Sequence, residues 1–230
     1  MRHRHTETDA FLGEIEALRF KNAFNPYAEI CDIYDKPNSA ELRRQNLRSV
    51  LSAAIENGVG SIWIARDLGY RGGRRTGLAL TDEVHLASHA RLLKSAALHR
   101  ATKGPAIGER TALIVWRMLS LVDEPVFLWN VFPLHPHEPQ EPLSNRNHSR
   151  AERAACQPFL FWLLKTLAPK KVVAIGRDAK NALDEIGIRA FAVRHPSYGG
   201  QNDFVRDVTA IYAQSWPAET ASAQNSALDT

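Results

Sequence analysis

Cysteine is scarce in this sequence: 230 residues contain two, Cys31 and Cys156. That excludes a disulfide framework and an iron–sulfur cluster held by four thiolates, and it leads us to expect two reduced thiols in a cytoplasmic protein. Long apolar runs are missing too. No stretch approaches the roughly 18 consecutive apolar residues of a membrane helix. The N-terminus, MRHRHTETDA, carries charge with no apolar segment behind it, so no signal peptide is expected. His3 and His5 there read as an exposed terminus rather than a metal site. Neither a GxGxxG nor a P-loop fingerprint occurs, which removes the commonest nucleotide-binding signals. Charge is nearly balanced, with Lys+Arg 29 against Asp+Glu 25 and a formal net charge of +4. Such a balance permits a polyanionic partner without demanding one.

What is present is an α/β pattern. The chain is organised around residues 61 to 81, SIWIARDLGYRGGRRTGLALT. Ser61 to Ala65 is a short apolar run with β-branched and aromatic members, read as a buried strand. Asp67 follows at its C-terminal end, where open α/β sheets place their ligand sites. Beyond it, Arg71, Arg74 and Arg75 lie among glycines, a composition suited to a loop that closes on phosphate.

Amphipathic segments surround this strand. Asp9 is read as the cap of a first helix carrying Leu12, Ile15 and Leu18. Residues 24 to 38 read as a loop, and Asn38 with Glu41 as the cap of a helix ended by Gly58. Residues 82 to 104 show only local helical pattern, and Pro105 is read as opening a stronger helix faced by Ile107, Ile114, Val115, Met118 and Leu119. Val126 to Trp129 is a second strand ending at Asn130, followed by a proline-rich loop of a length that often signals function. In that loop, the spacing of His135 and His137 suggests a metal pair, but no third ligand lies nearby and no metal is expected. Ser149 with Glu152 caps a long helix, Lys171 to Ile175 is a third strand ending at Gly176, and Ala190 to Val193 is a fourth leading to His195. A last helix carries Phe204, Val208, Ile211 and Tyr212.

Strands alternating with helices imply a single α/β domain over residues 1 to 216. Its centre is a four-stranded, mostly parallel sheet with helices on both faces. Residues 217 to 230 read as a disordered tail. Parallel strands present their C-terminal ends along one edge, so a carboxylate (Asp67), an amide (Asn130) and an imidazole (His195) should converge there.

Three segments then resemble the uracil-DNA glycosylase superfamily: ARDLGYRGGRRTG (65 to 77), NVFPLHPHEP through AACQPFL (130 to 160), and HPS (195 to 197), preceded by VVAIGRDA (172 to 179). The resemblance implies the catalytic aspartate at Asp67, the base-reading asparagine at Asn130, and at His195 the histidine that donates to the departing base. It implies a base pocket lined by Arg66, Gly69, Tyr70 and Leu80. DNA contacts fall to Arg71, Arg74, Arg75, Gly176, Arg177, Ser197 and Tyr198. The departures are informative. Gly69 stands where uracil-specific members have a tyrosine, Leu80 where a phenylalanine commonly stacks, and Arg66 where iron–sulfur members carry glutamate.

The resemblance thus implies a monofunctional, monomeric DNA glycosylase acting on uracil and related damaged bases in DNA, without cofactor, metal or membrane. A uracil-DNA binding protein without turnover is the alternative. The covalent variant of that alternative uses a histidine in an inserted basic loop, and RGGRRTG runs into LAL with no histidine before His85.

Overall fold

The computed structural model describes residues 2 to 213, with the side chains of residues 2 to 5 left out. The expected tail and the two N-terminal histidine side chains lie outside what is described. Four strands form one parallel sheet: β2 (Ser61–Asp67), β3 (Val126–Phe132), β5 (Lys171–Ile175) and β6 (Phe191–Val193), in the order β3-β2-β5-β6. A two-stranded antiparallel ribbon, β1 (Ala23–Phe24) with β4 (His135–Pro136), stands apart from it.

Alternation along the strands explains why both sheet faces are covered. On β2, Ile62 and Ile64 enter a core shared with α1 (Arg2–Ala17), α2 (Ser39–Asn57) and α6 (Arg150–Leu167). Trp63 and Ala65 enter another, shared with α5 (Arg110–Leu119) and α8 (Gln201–Tyr212). Trp63 is fully buried and its indole N–H donates to Tyr212 Oη at 2.8 Å, which ties α8 to the central strand. At the start of α6, Ser149 accepts from the Glu152 N–H while the Glu152 carboxylate takes the Ser149 N–H, a full capping box. No described helix is long and apolar enough to cross a membrane.

Several local expectations need correction. Pro105 does not open a helix; α5 begins at Arg110. The intervening chain is pinned instead, because the Ile107 N–H donates to Glu83 and the Glu109 N–H to Asp82. The basic loop contains a short helix, α3 (Gly73–Thr76), closed by Gly77 at φ +73. A further helix, α4 (Leu86–Leu93), occupies the weakly patterned stretch. Asp9 lies within α1 rather than at its start. α7 (Arg177–Glu185) follows β5 directly, with Gly176 as its N-cap.

In the strand order, β3 follows β2 on one side and β5 and β6 extend the sheet on the other. The crevice between the exits of β2 and β5 is therefore a topological switch point, where such sheets hold ligands.

Candidate active site and nucleic-acid interface

Asp67 is the last residue of β2, and its side chain is nearly buried at 8% exposure. Arg66 reaches across the switch point, with Nε 2.8 Å from Asp67 Oδ2 and Nη1 3.3 Å from Asp178 Oδ2 on α7. It thereby ties the β2 exit to the first turn of the helix that follows β5. The position filled by glutamate in iron–sulfur members here carries the counter-ion of the neighbouring aspartate.

Asn130 pairs in register with Ala65 on the adjacent strand, two residues short of the β3 exit. It is 1% exposed, and both Oδ1 and Nδ2 are buried without a hydrogen-bonding partner. A buried amide with all its polar atoms unpaired costs the full desolvation of those groups, so the fold keeps it there at a loss.

His195 follows β6 in a loop against α7. The Ser197 backbone N–H donates to His195 Nδ1 at 3.2 Å, and Ser197 Oγ lies 2.7 Å from the same nitrogen. Since Nδ1 accepts, the neutral ring carries its proton on Nε2. Burial, and after it the Arg66 guanidinium, lower its pKa below the ordinary 6.5 against the opposing pull of Asp67 and Asp178. At neutral pH this ring is therefore an uncharged donor through Nε2. Gly176, at φ +89, passes so close that a Cβ there would lie 3.2 Å from His195 Cβ.

Gly176, Arg177, Lys180, Arg194, His195 and Tyr198 are among the residues lining an open cleft of ≈ 570 Å³. Tyr198 is 98% exposed and holds φ +51, a conformation unusual for a bulky side chain. Arg71 is also exposed, its Nε 2.8 Å from Tyr70 Oη. Arg177, Lys180, Arg194 and Tyr198 give the cleft itself a cationic, aromatic lining.

Two expected contacts turn inward. Arg74 is 2% exposed, donates to Tyr34 Oη at 2.7 Å, lies 2.9 Å from His135 Nδ1, and stacks 3.7 Å above the Phe24 ring. Arg75 is 8% exposed, paired with Glu83 at 3.0 Å and stacked on Tyr34. Neither guanidinium is free for phosphate. The short helix α3 rotates both into the protein, whereas an extended loop would have shown them to solvent. His135, on β4, is fully consumed as well: its Nε2 lies 2.8 Å from the Ser144 carbonyl, so the ring knits the proline-rich loop to α3.

The pocket positions also differ from expectation. Phe132, the last residue of β3, is fully buried against Phe20 and does not fill the space at Gly69. The side chain over Gly69 is Glu109, whose Oε1 would meet an added Cβ at 3.1 Å. Leu80 is partly buried in the left-handed region at φ +53, and its carbonyl accepts from the Trp116 indole at 3.1 Å. It packs against the α5 core.

One residue at the site carried no signal in the sequence. His148 immediately precedes the cap of α6, its side chain is 4% exposed, and its Nδ1 lies 3.4 Å from Asp67 Oδ2. That nitrogen is buried and unpaired, and the ring leans on Phe132 with centroids 5.6 Å apart. Only the fold, by bringing the start of α6 to the exit of β2, makes the pairing visible.

A family model described as the Uracil DNA glycosylase superfamily matches residues 69–215, a span that takes in Asn130 and His195 and begins just past Asp67. Among solved structures, wild-type SMUG2 from Pedobacter heparinus has the same fold. It superposes with a TM-score of 0.59 at 14% identity, over 90% of this chain and 97% of that one. No curated protein matches the sequence.

Proposed function

The chain belongs to the uracil DNA glycosylase superfamily, and from that premise we propose that it is a monofunctional DNA glycosylase. In this reading it takes uracil, and related damaged bases, out of the DNA stack and hydrolyses the N-glycosidic bond. The observation that carries the reading is the Asn130 side chain, buried with both its donor and its acceptor unpaired. A flipped base with adjacent carbonyl and imino groups satisfies such an amide at both ends.

The chemistry follows from the neighbours. As the bond from C1′ to the base lengthens, positive charge grows on the sugar and negative charge on the base. Asp67 opposes the first, and the Nε2–H of His195 donates to a base carbonyl oxygen where the second collects. The electron pair of the broken bond leaves with the base. A water held beside Asp67, with the unpaired His148 Nδ1 alongside, adds to C1′ and gives its proton to the carboxylate. The products are an abasic site and the free base. Arg71, Arg177, Lys180 and Arg194 supply the phosphate-facing charge, and the exposed Tyr198 ring a surface on which bases stack.

A second reading, binding without turnover, draws on the Arg66–Asp67 contact. A guanidinium at 2.8 Å offsets the carboxylate charge that the sugar cation needs. One assay separates the two. The protein is incubated with a uracil-containing oligonucleotide and then treated with alkali. Cleavage at the uracil position marks an abasic product, whereas an intact but retarded strand marks binding alone and overturns the glycosylase reading.

A further inference from the structure

Gly69 and Gly72 are not empty positions. A Cβ at Gly72 would lie 2.1 Å from Glu109 Oε2, and one at Gly69 3.1 Å from Oε1. The carboxyl group therefore rests directly on the backbone of the loop that leaves β2, and it can do so only because both residues lack a side chain. Its own main chain is fixed. The Glu109 N–H donates to Asp82 Oδ2 at 2.7 Å, while Asp82 Oδ1 takes the N–H groups of Val84 and His85. The side chain thus starts from a rigid helix end and is laid across two glycines.

No described residue hydrogen-bonds to this carboxyl group. Burial, and next the negative charge of Asp82, raise its pKa above the usual carboxylate value, with Arg71 opposing. It is a partly buried acceptor that meets no protein donor, a state that a ligand can relieve.

We propose that Glu109 is the specificity-determining wall of the base pocket, favouring bases that bring an O–H or N–H to it over bases that bring a methyl group. The proposal rests on the glycosylase reading and on the sequence resemblance, which puts Gly69 where uracil-specific members set a tyrosine against the methyl group at carbon 5 of thymine. A donor at that carbon satisfies the carboxyl group. A methyl group strips its remaining water and returns nothing, so thymine is refused by uncompensated desolvation. This differs in kind from an aromatic wall, which excludes a hydroxyl and a methyl of equal size alike. Sites built around a polar group discriminate strongly against the analogue that leaves it unpaired.

5-Hydroxyuracil and thymine form the diagnostic pair, because they differ by O–H for CH3 at nearly constant size. Single-turnover excision is measured on oligonucleotides carrying uracil, 5-hydroxyuracil or thymine, each opposite guanine, with each rate divided by that for uracil. Wild type is expected to prefer 5-hydroxyuracil to thymine by about tenfold or more, and Glu109→Ala to reduce that preference by about tenfold. Glu109→Gln, which keeps the shape, should reduce it less and decides the matter if the alanine variant does not fold. A wild type that excises uracil but treats the pair alike overturns the inference. So does a preference unchanged in the folded variants, and both results leave the glycosylase reading standing. A wild type that excises no base overturns that reading and this inference together.

Discussion

His148 Nδ1 and Asp67 Oδ2 lie 3.4 Å apart, too far for a good hydrogen bond and close enough to share one water. The two residues come from different elements, the exit of β2 and the start of α6. If the pair holds the attacking water, His148→Ala should slow single-turnover excision by about tenfold or more while changing DNA affinity little. Asp67→Asn should be more severe, at roughly a hundredfold or beyond, because a neutral amide cannot oppose the sugar cation. Quenched-flow rates beside binding isotherms check both. A His148 variant that weakens binding and spares the rate would put the histidine in DNA contact instead.

The inward turn of Arg74 and Arg75 reassigns the basic run. Replacing Arg71 and Arg177 with alanine should flatten the salt dependence of DNA binding by about 0.9 in log–log slope per lost phosphate contact. Arg74→Ala should leave that slope alone and instead destabilise the fold by about 3 kcal/mol, since it abandons a buried imidazole and a part-buried hydroxyl. Binding titrations from low to moderate salt, with urea unfolding alongside, separate the two effects. Equal salt slopes for the two sets of variants would contradict the assignment.

Much of this was legible in the sequence, and the unread remainder has a common cause. Strand exits at Asp67 and His195 follow from apolar runs that stop at polar residues, and the Ser149–Glu152 cap follows from a local spacing. Such signals are short-range. The side-chain direction of Arg74 depends on four residues of helix within a glycine-rich segment, too few to show a period. Glu109 over Gly69, and His148 beside Asp67, join residues far apart in the chain. Their positions are set by how α5 and α6 dock on the sheet, and no local pattern encodes that.

Acid should weaken the fold before its carboxylates titrate. Burial lowers the pKa of His89 and of His135 from 6.5 to about 3, so both are neutral in the folded protein. The unfolded chain takes up these protons first as pH falls below 6.5. The stabilising contribution is therefore complete above that value and is lost progressively toward about 3. Between pH 6.5 and 5, the slope should approach about 1.4 kcal/mol per pH unit for each histidine. Urea unfolding at three pH values in that window measures it, and His89→Gln should make the slope shallower by one histidine's share. An unaltered slope in that variant would show that His89 is not held neutral by burial.

Tyr198 offers the last test, because nothing in the protein explains its posture. The ring is 98% exposed, beside a cleft that also holds His195, on a backbone at φ +51. Leaving an aromatic ring in water while holding a strained backbone costs free energy twice, and such strain persists where function maintains it. In the glycosylase reading, the ring enters the stack as the target base leaves it. Stacking of this kind contributes about 1–3 kcal/mol per base. Tyr198→Ala should therefore slow excision from duplex DNA by about tenfold or more. Single-stranded DNA needs no replacement for the departed base, and its rate should change far less. Tyr198→Phe should keep the duplex rate, since the face of the ring and not its hydroxyl does the stacking. Equal losses on duplex and single strand would instead make Tyr198 an ordinary contact at the rim of the cleft.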